Sequence, residues 1–215
     1  AGDDQAYITD QNGQVHVLNL ISNEIVSSII VGLAPQQIVT VDNHAFVVNS
    51  GWGSGNTVSV IDVTTNQIVE TITVADNPTS LVLDGGHLWI LSQGNTLYDD
   101  NWLVVGYTNA ALTSINTSNF NIVKTFNFVQ GERPIGLTAN EGDLYFRDNQ
   151  RIYKQSTYSD ELNPTEITSI ESNNSSGYYG QLSMYNNYLY AADATDYQSS
   201  GNIYKYSTSG TLQNT

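Results

Sequence analysis

A repeated pattern is the feature of this sequence that most constrains its fold. Five segments share a small or aliphatic residue, then an aromatic residue, and a polar residue three positions after the aromatic one. They are AYITD from Ala6, AFVVN from Ala45, LWILS from Leu88, LYFRD from Leu144 and LYAAD from Leu189. Further β-type runs follow each segment, and Pro35, Pro78 and Pro134 recur at spacings of 43 and 56 residues. A period of about 40 to 45 residues with four short strands is typical of a β-propeller blade.

We therefore predict an all-β fold, a β-propeller of four-stranded antiparallel blades, with about five blades in one domain over residues 1–215. A β-solenoid or a plain sandwich is the alternative, but solenoid coils are shorter and sandwiches do not repeat in this way. The predicted blade units are 6–43, 44–86, 87–142, 143–187 and 188–215. The last unit is incomplete, so we expect a larger ring of seven or eight blades, with a closed five-bladed ring as the alternative.

The first three units also carry a family resemblance. AYITDQNGQVHVLNLISNEIVSSIIVGLAPQQI and AFVVNSGWGSGNTVSVIDVTTNQIVETITVADNPTSL resemble YVTN-type repeats, which occur in surface-layer-like and YncE-like propeller proteins. The resemblance is close to about Asn140 and looser afterwards. It implies a secreted or lipid-anchored propeller similar to those of Bacteroidota, some of which capture vitamin B12 and related corrinoids. A repeat motif specifies a fold rather than a ligand.

The charge of the chain excludes some partners. Six Lys and Arg residues stand against 21 Asp and Glu residues, which gives a net charge of -15. Such a protein repels phosphate backbones and anionic lipid surfaces, so we do not expect nucleic acid as a partner, and anionic membrane surfaces are disfavoured. No apolar run is long enough for a membrane span, and the absence of cysteine excludes disulfides and thiolate sites. The chain opens at Ala1 without a signal peptide, so we expect that a leader was removed.

The loops differ at the two ends of the predicted strands. In an antiparallel meander, alternate connections lie at the same end. One end has only short turns, namely ISNE, TTNQ, VDNH, DGGH, NEGD and YNNY. The other end, the long-loop face, has DQNGQ, SGWGSGNT, SQGNTLYDDNWLVVGYTNAA, DNQR and DATDYQSSG, and the connections GLAP, ADNP, QGERP and SNNSSGYYG. Long, variable loops on a rigid scaffold usually carry binding sites, so we expect a ligand there.

The longest of these loops contains an insertion. The third unit is 11 residues longer from His87 to Ile122 than the second unit is from His44 to Ile68. We predict ligand contacts from aromatic, arginine and carboxylate side chains in the loops of this face and at its rim. They are Trp52, Tyr98, Trp102, Tyr107, Arg133, Arg147, Asp148, Tyr178, Tyr179 and Tyr197.

These residues also have structural interpretations. Trp52 folds over a neighbouring blade in the alternative, WLVVGY forms a hairpin that buries Trp102 and Tyr107, and the arginines pair with local carboxylates. Asp99 and Asp100 are adjacent and point apart, which argues against a catalytic pair, and calcium ligation is the alternative. His44 and His87 occupy equivalent turns and His16 stands alone, so we expect no histidine metal site and no cofactor.

The leading functional hypothesis is a non-enzymatic, extracellular or cell-surface propeller, with the periplasm as the alternative location. Its ligand would be a corrinoid, another small molecule or a glycan, and an outer-membrane transporter or other surface protein is a candidate partner. The second hypothesis is an enzyme similar to propeller lactonases or lyases, for which Asp10, Asp148 and Asp193 are the candidate carboxylates. The third is a scaffold or adhesion repeat without a pocket.

Overall fold

The chain consists of short β-strands. A computed structural model describes residues 4–170, 181–194 and 200–214. In these ranges there are 21 β-strands, a single-turn 3-10 helix at Gly51–Gly53, and no α-helix. Accordingly, no helix in this part of the chain has the length and apolarity needed to cross a membrane. The all-β prediction is confirmed, and it follows from short runs of β-branched and aromatic residues separated by turn residues.

The strands form antiparallel sheets of neighbours in sequence. The first sheet contains β1 (Gln5–Asp10), β2 (Gln14–Asn19) and β3 (Glu24–Ile30), and the second contains β4 (Pro35–Val41), β5 (His44–Asn49), β6 (Thr57–Asp62) and β7 (Gln67–Thr73). The third contains β8 (Pro78–Asp84), β9 (His87–Ser92), β12 (Ala111–Asn116) and β13 (Ile122–Asn127), while β10 (Thr96–Tyr98) and β11 (Val104–Tyr107) form a separate hairpin. The fourth contains β14 (Ile135–Asn140), β15 (Asp143–Asp148), β16 (Arg151–Ser156) and β17 (Thr165–Ser169), and the fifth contains β18 (Leu182–Tyr185), β19 (Tyr188–Asp193), β20 (Asn202–Ser207) and β21 (Leu212–Asn214).

The sheets are offset by one strand from the predicted blade units. The unit 44–86 runs from β5 to β8, whereas the second sheet runs from β4 to β7. The strand that begins at Pro35, at Pro78 or directly after Pro134 therefore opens a sheet instead of closing one. As a result, the three-stranded sheet is the first one, and the fifth, which was expected to be incomplete, has four strands.

Two compact units make up the chain. The first comprises residues 1–81 and 86–131, and the second comprises residues 82–85 and 132–215. The first unit therefore contains the first two sheets, most of the third and the hairpin. The second unit contains the fourth and fifth sheets.

The core lies between successive sheets in each unit. In the first unit, Val15 and Val17 of β2 pack with Ala45 and Val47 of β5 in one cluster. Phe46 and Val48, which point to the opposite side of β5, pack in a second cluster with side chains of β8 and β9 such as Leu81 and Ile90. Because β5 is buried on both faces, it reads as an apolar run, as expected for a strand between two layers.

A corresponding cluster joins the fourth and fifth sheets of the second unit. It contains Tyr145 and Ile152 from the fourth sheet and Leu182, Leu189 and Tyr206 from the fifth. The aromatic residue of the repeat lies in the interior in three of the five segments, since Phe46, Trp89 and Tyr145 are each at most 3% exposed, whereas Tyr7 and Tyr190 are half-buried. Burying an aromatic side chain of this size stabilises the fold by about 1.5–3 kcal/mol.

Candidate functional site

The predicted long-loop face exists in the first compact unit. Backbone hydrogen bonds join its loops: Gly51 N donates to Leu33 O (2.9 Å), Asn77 N donates to Gly55 O (2.6 Å), and Gly94 N donates to Asp76 O (2.9 Å). The loop between β5 and β6 is thereby tied to the connections on either side of the second sheet. The connection between β7 and β8, which precedes the third sheet, also accepts the hydrogen bond from Gly94 at the start of the insertion.

Trp52 is displayed at the tip of the loop between β5 and β6. Its backbone is left-handed, with φ 58° and ψ 30°, a conformation that bulky residues rarely adopt. Hydrogen bonds from Gly53 N and Gly55 N to Ser50 O close the turn beneath it. The side chain is 65% exposed, so Trp52 does not fold over a neighbouring sheet.

The insertion folds as the hairpin β10–β11, which is fixed at its base and its tip. At the base, Thr108 N donates to Asn95 O (2.9 Å) and Asn95 N donates to Thr108 Oγ1 (2.7 Å). At the tip, Asp99 Oδ1 accepts hydrogen bonds from Asn101 N and Leu103 N, both at 2.9 Å. Asp99 thus stabilises the turn, as aspartate commonly does. These bonds are needed because an isolated two-stranded hairpin is only marginally stable in water.

The hairpin does not bury its aromatic residues. Tyr98 is 53% exposed, Trp102 is 82% exposed and Tyr107 is 39% exposed. Trp102 also has a left-handed backbone, with φ 63°, and its ring lies 6.2 Å from the ring of Tyr98 between centroids. The structural interpretation of WLVVGY is therefore half right, since the hairpin forms but leaves Trp102 in solvent.

Trp52 and the base of the hairpin lie on the same surface. A Cβ atom placed on Gly53 would lie 3.4 Å from Asn95 Oδ1, so the two loops approach each other closely. The structure therefore brings Trp52 next to the segment that carries Tyr98, Trp102 and Tyr107. These four aromatic residues form the candidate site.

The other predicted contacts belong to the second compact unit or are not described. Arg133 is half-buried and already interacts with other residues of the chain. Asp148 is half-buried at the end of β15 and accepts a hydrogen bond from Asn149 Nδ2 (3.3 Å). Tyr178, Tyr179 and Tyr197 lie outside the described residues.

Arg147 is a core residue, which corrects its placement on the loop face or its rim. The side chain is 1% exposed, and Nη1 donates to Ala192 O (3.2 Å) while Nε has no hydrogen-bond partner in the described structure. Burial lowers the pKa of Arg147, and the carboxylate of Asp193 acts in the opposite direction. Asp193 is 7% exposed, so this is a buried electrostatic interaction between the fourth and fifth sheets.

The polar residues that end the repeated segments are mostly buried. Asn49 is 1% exposed and Ser92 is not exposed at all. Asn49 Nδ2 donates to Ser59 Oγ (2.9 Å) and to Thr57 Oγ1 (3.1 Å), which joins β5 to β6. Asn49 and Ser92 therefore act as structural residues at the strand end. Each nevertheless retains a buried oxygen without a hydrogen-bond partner in the described structure.

His16 forms a polar cluster with Asp10 and Ser28 on the first sheet, which the sequence analysis did not predict. His16 Nε2 lies 3.2 Å from Asp10 Oδ2, and His16 Nδ1 lies 2.8 Å from Ser28 Oγ. The hydrogen bond from Asn12 N, followed by that of His16, lowers the pKa of Asp10. The available signal was the strand register, because His16 of β2 is paired with Ser28 of β3. Strand boundaries were not known closely enough to use that signal.

The charges of the site are all negative. The first 123 residues contain 11 carboxylates and neither Lys nor Arg. Asp100 at the hairpin tip is exposed, and Asp76 lies in the adjoining connection. Among the described residues, no group of three or more His, Asp or Glu side chains has a geometry that could hold a metal ion.

Comparison with known proteins supports the fold. No protein-family profile and no curated protein matches this sequence. Hydrazine synthase from Kuenenia stuttgartiensis is similar in structure, with a TM-score of 0.65 and 14% identity over 95% of this chain and 60% of that one. BamB from Moraxella catarrhalis has a TM-score of 0.64 and 13% identity over 91% of this chain and 55% of that one. The dihydro-heme d1 dehydrogenase NirN, in complex with DHE, has a TM-score of 0.65 and 11% identity over 98% of this chain and 43% of that one.

These similarities establish a β-propeller fold and nothing finer. The chain spans roughly half the length of these structures.

Proposed function

We propose that this propeller is a non-enzymatic binding protein that holds a small ligand on the long-loop face by stacking it on Trp52 and Trp102. One observation carries the proposal: both tryptophans have left-handed backbones and are 65% and 82% exposed, on loops that are each hydrogen-bonded to the connection between β7 and β8. Flat aromatic faces offer large contact areas to planar or sugar-like ligands. Loops that are fixed before binding reduce the entropy lost when a ligand is ordered.

The charge around these residues selects the class of ligand. Asp99 and Asp100 lie close to Trp102 in sequence, Asp76 lies in the connection between β7 and β8, and Lys or Arg is absent from the first 123 residues. An anionic ligand would meet repulsion without a compensating cation. We therefore favour a neutral ligand such as an uncharged glycan. The resemblance to YVTN-type surface propellers makes a corrinoid the other candidate, at the cell surface or in the periplasm and with a surface transporter as a partner.

Calorimetric titration tests this function directly. The chain is titrated with cyanocobalamin and with a panel of neutral oligosaccharides, and the same titrations are made with Trp52→Ser and Trp102→Ser. We expect one ligand class to bind, and each substitution to weaken binding about tenfold, which corresponds to the stacking contribution of an aromatic pair.

Tyr158→Ser is the matched control, since Tyr158 is also 82% exposed but lies in the second compact unit. Loss of a large exposed aromatic residue there should leave the affinity unchanged. The proposal fails if no ligand of either class binds, or if binding survives both tryptophan substitutions.

A further inference from the structure

Three polar side chains form a hydrogen-bonded row across the first sheet. His16 Nδ1 lies 2.8 Å from Ser28 Oγ, and His16 Nε2 lies 3.2 Å from Asp10 Oδ2. The other carboxylate oxygen, Asp10 Oδ1, accepts hydrogen bonds from Asn12 N (2.9 Å) and Asn12 Nδ2 (3.0 Å). Asn12 therefore fixes the carboxylate of Asp10 so that its second oxygen faces the imidazole ring.

This row has the arrangement of an activated serine. In a neutral imidazole, both contacts of His16 are hydrogen bonds only when Nε2 donates to Asp10 and Nδ1 accepts from Ser28. A hydroxyl group within hydrogen-bond reach of a base, with a third group that orients the base, is the arrangement used in nucleophilic catalysis. It occurs on unrelated folds and is recognised by geometry instead of sequence position.

The hydroxyl group of the row is accessible and has apolar neighbours. Ser28 is exposed, whereas the side chains of His16 and Asp10 are only 21% and 33% exposed. The strand register places Ile8 opposite His16, and Ile30 lies two residues after Ser28 on the same face of β3. Ile8 is 44% exposed and Ile30 is 77% exposed. An apolar acyl group can therefore contact these isoleucines while its carbonyl carbon meets Ser28 Oγ.

We propose that Ser28 is a nucleophile that accepts acyl groups from activated esters, with His16 as its general base and Asp10 positioning His16. Ser28 Oγ bonds to the carbonyl carbon while its proton passes to His16 Nδ1. The bond from that carbon to the leaving oxygen then breaks, and the leaving alcohol takes the proton from His16. The products are an acyl ester on Ser28 and a free alcohol. This inference goes beyond the proposed function, which has no covalent step and uses none of these residues.

The exposure of Ser28 limits the class of acyl donor. Water around the serine weakens the electrostatic stabilisation of a developing oxyanion, which is a large part of catalysis in enclosed sites. Donors whose leaving group is already a weak base need less of this stabilisation. We therefore expect reaction with p-nitrophenyl esters and with fluorophosphonates, in which fluoride leaves from phosphorus, but not with amides.

Labelling with a fluorophosphonate and with p-nitrophenyl acetate, followed by peptide mass spectrometry, tests the proposal. Rates are compared for the parent chain, Ser28→Ala, His16→Gln and Asp10→Asn, with circular dichroism to show that each variant is folded. Glutamine can still form a hydrogen bond with Ser28 but cannot take its proton, so His16→Gln separates chemistry from structure. Ser27→Ala is the matched control, because Ser27 is half-buried and is paired with the buried Val17 on the opposite face of β3.

We expect one label per chain, on Ser28. Ser28→Ala should abolish labelling, His16→Gln should slow it at least about a hundredfold, as loss of a general base does, and Ser27→Ala should match the parent. Asp10→Asn should also slow labelling. Because an amide can donate to Nε2, ¹⁵N NMR spectra of Asp10→Asn should show the imidazole shifted from the Nε2-protonated tautomer to the other one.

The inference is overturned if no label reaches Ser28, if the label is on His16 itself, or if His16→Gln reacts at the rate of the parent chain. An unchanged tautomer and rate in Asp10→Asn would overturn the positioning role of Asp10. Titration of Ser28→Ala with cyanocobalamin and the neutral oligosaccharides keeps the two proposals apart. Since this variant leaves the four aromatic residues of the candidate site intact, labelling and ligand binding can fail independently.

Discussion

Replacing Asp193 with Asn tests whether the buried Arg147 depends on a neighbouring charge. Arg147 is 1% exposed, and its one described hydrogen bond is from Nη1 to Ala192 O. The substitution keeps the shape of the Asp193 side chain but removes the charge that opposes the effect of burial on Arg147. Leaving a directly paired buried ion without its partner costs about 3–5 kcal/mol. Arg147 and Asp193 interact electrostatically without a direct ion pair in the described structure, so we expect Asp193→Asn to lower the free energy of unfolding by a smaller amount, about 1–3 kcal/mol.

The double variant Arg147→Met/Asp193→Asn separates loss of the charge pair from loss of packing. Methionine fills a similar volume with apolar atoms, and the equivalent repeat positions hold Val48 and Leu91, which are fully buried. Replacing a buried ion pair with apolar residues is often neutral or stabilising. The double variant should thus lie within about 1–2 kcal/mol of the parent, with a coupling energy of about 2 kcal/mol or more.

Urea unfolding followed by circular dichroism gives the four free energies of this cycle. Asp148→Asn is the matched control, because Asp148 occupies the equivalent position in the fourth sheet but is only half-buried. It should change stability by no more than about 0.5 kcal/mol. If Asp193→Asn costs less than about 1 kcal/mol, or if the two single substitutions are additive, the interaction does not hold Arg147 in the core.

Three further predictions concern pH and the hairpin. Burial, with Asp143 and Glu141, raises the pKa of Tyr145 from 10.0 to about 12, so native stability should fall between these pH values by about 2–3 kcal/mol. Urea unfolding of Tyr145→Phe should show a much smaller fall, to which Tyr7 still contributes because its pKa is also raised. The pKa of Asp10 is lowered, so its contribution is present above pH 3.8 and is lost as pH falls through the lower folded value; Asp10→Asn should flatten this acid limb in urea midpoints. A Cβ on Gly94, whose φ is 70°, would contact Thr108 O, so Gly94→Ala should loosen the hairpin and speed chymotryptic cleavage there, whereas Gly106→Ala should not.

The fold could be predicted because the apolar residues of the repeat occur where the strands are buried. Segments such as AFVV and LWIL are apolar at consecutive positions since β5 and β9 are buried on both faces. The sheet boundaries could not be predicted, because a periodic pattern has no natural starting point. Only hydrogen bonding shows that Pro35 opens the sheet that contains His44.

The candidate site was predictable in part. Loop length located Trp52 and the insertion, and the strand register joined their loops to one end of the sheets. The exposure of Trp102 could not be predicted, because WLVVGY reads as a strand whether or not another element covers it. The burial of Arg147 had a readable signal, since it replaces the aliphatic residues Val48 and Leu91 of the repeat. Arg147 was predicted to contact a ligand because it is positively charged, although its position in the repeat is apolar in the second and third units.

The hairpin is inserted between two strands of the third sheet, β9 and β12, at positions that lie next to each other. Ser92, the last residue of β9, is paired with Ala111, the first residue of β12. The gap between those two residues is the same however long the intervening chain is, and lengthening a surface loop adds little to its closure entropy. The third sheet is therefore a natural graft site, where this hairpin can be exchanged for a short turn or a foreign recognition loop while the scaffold beneath it stays intact.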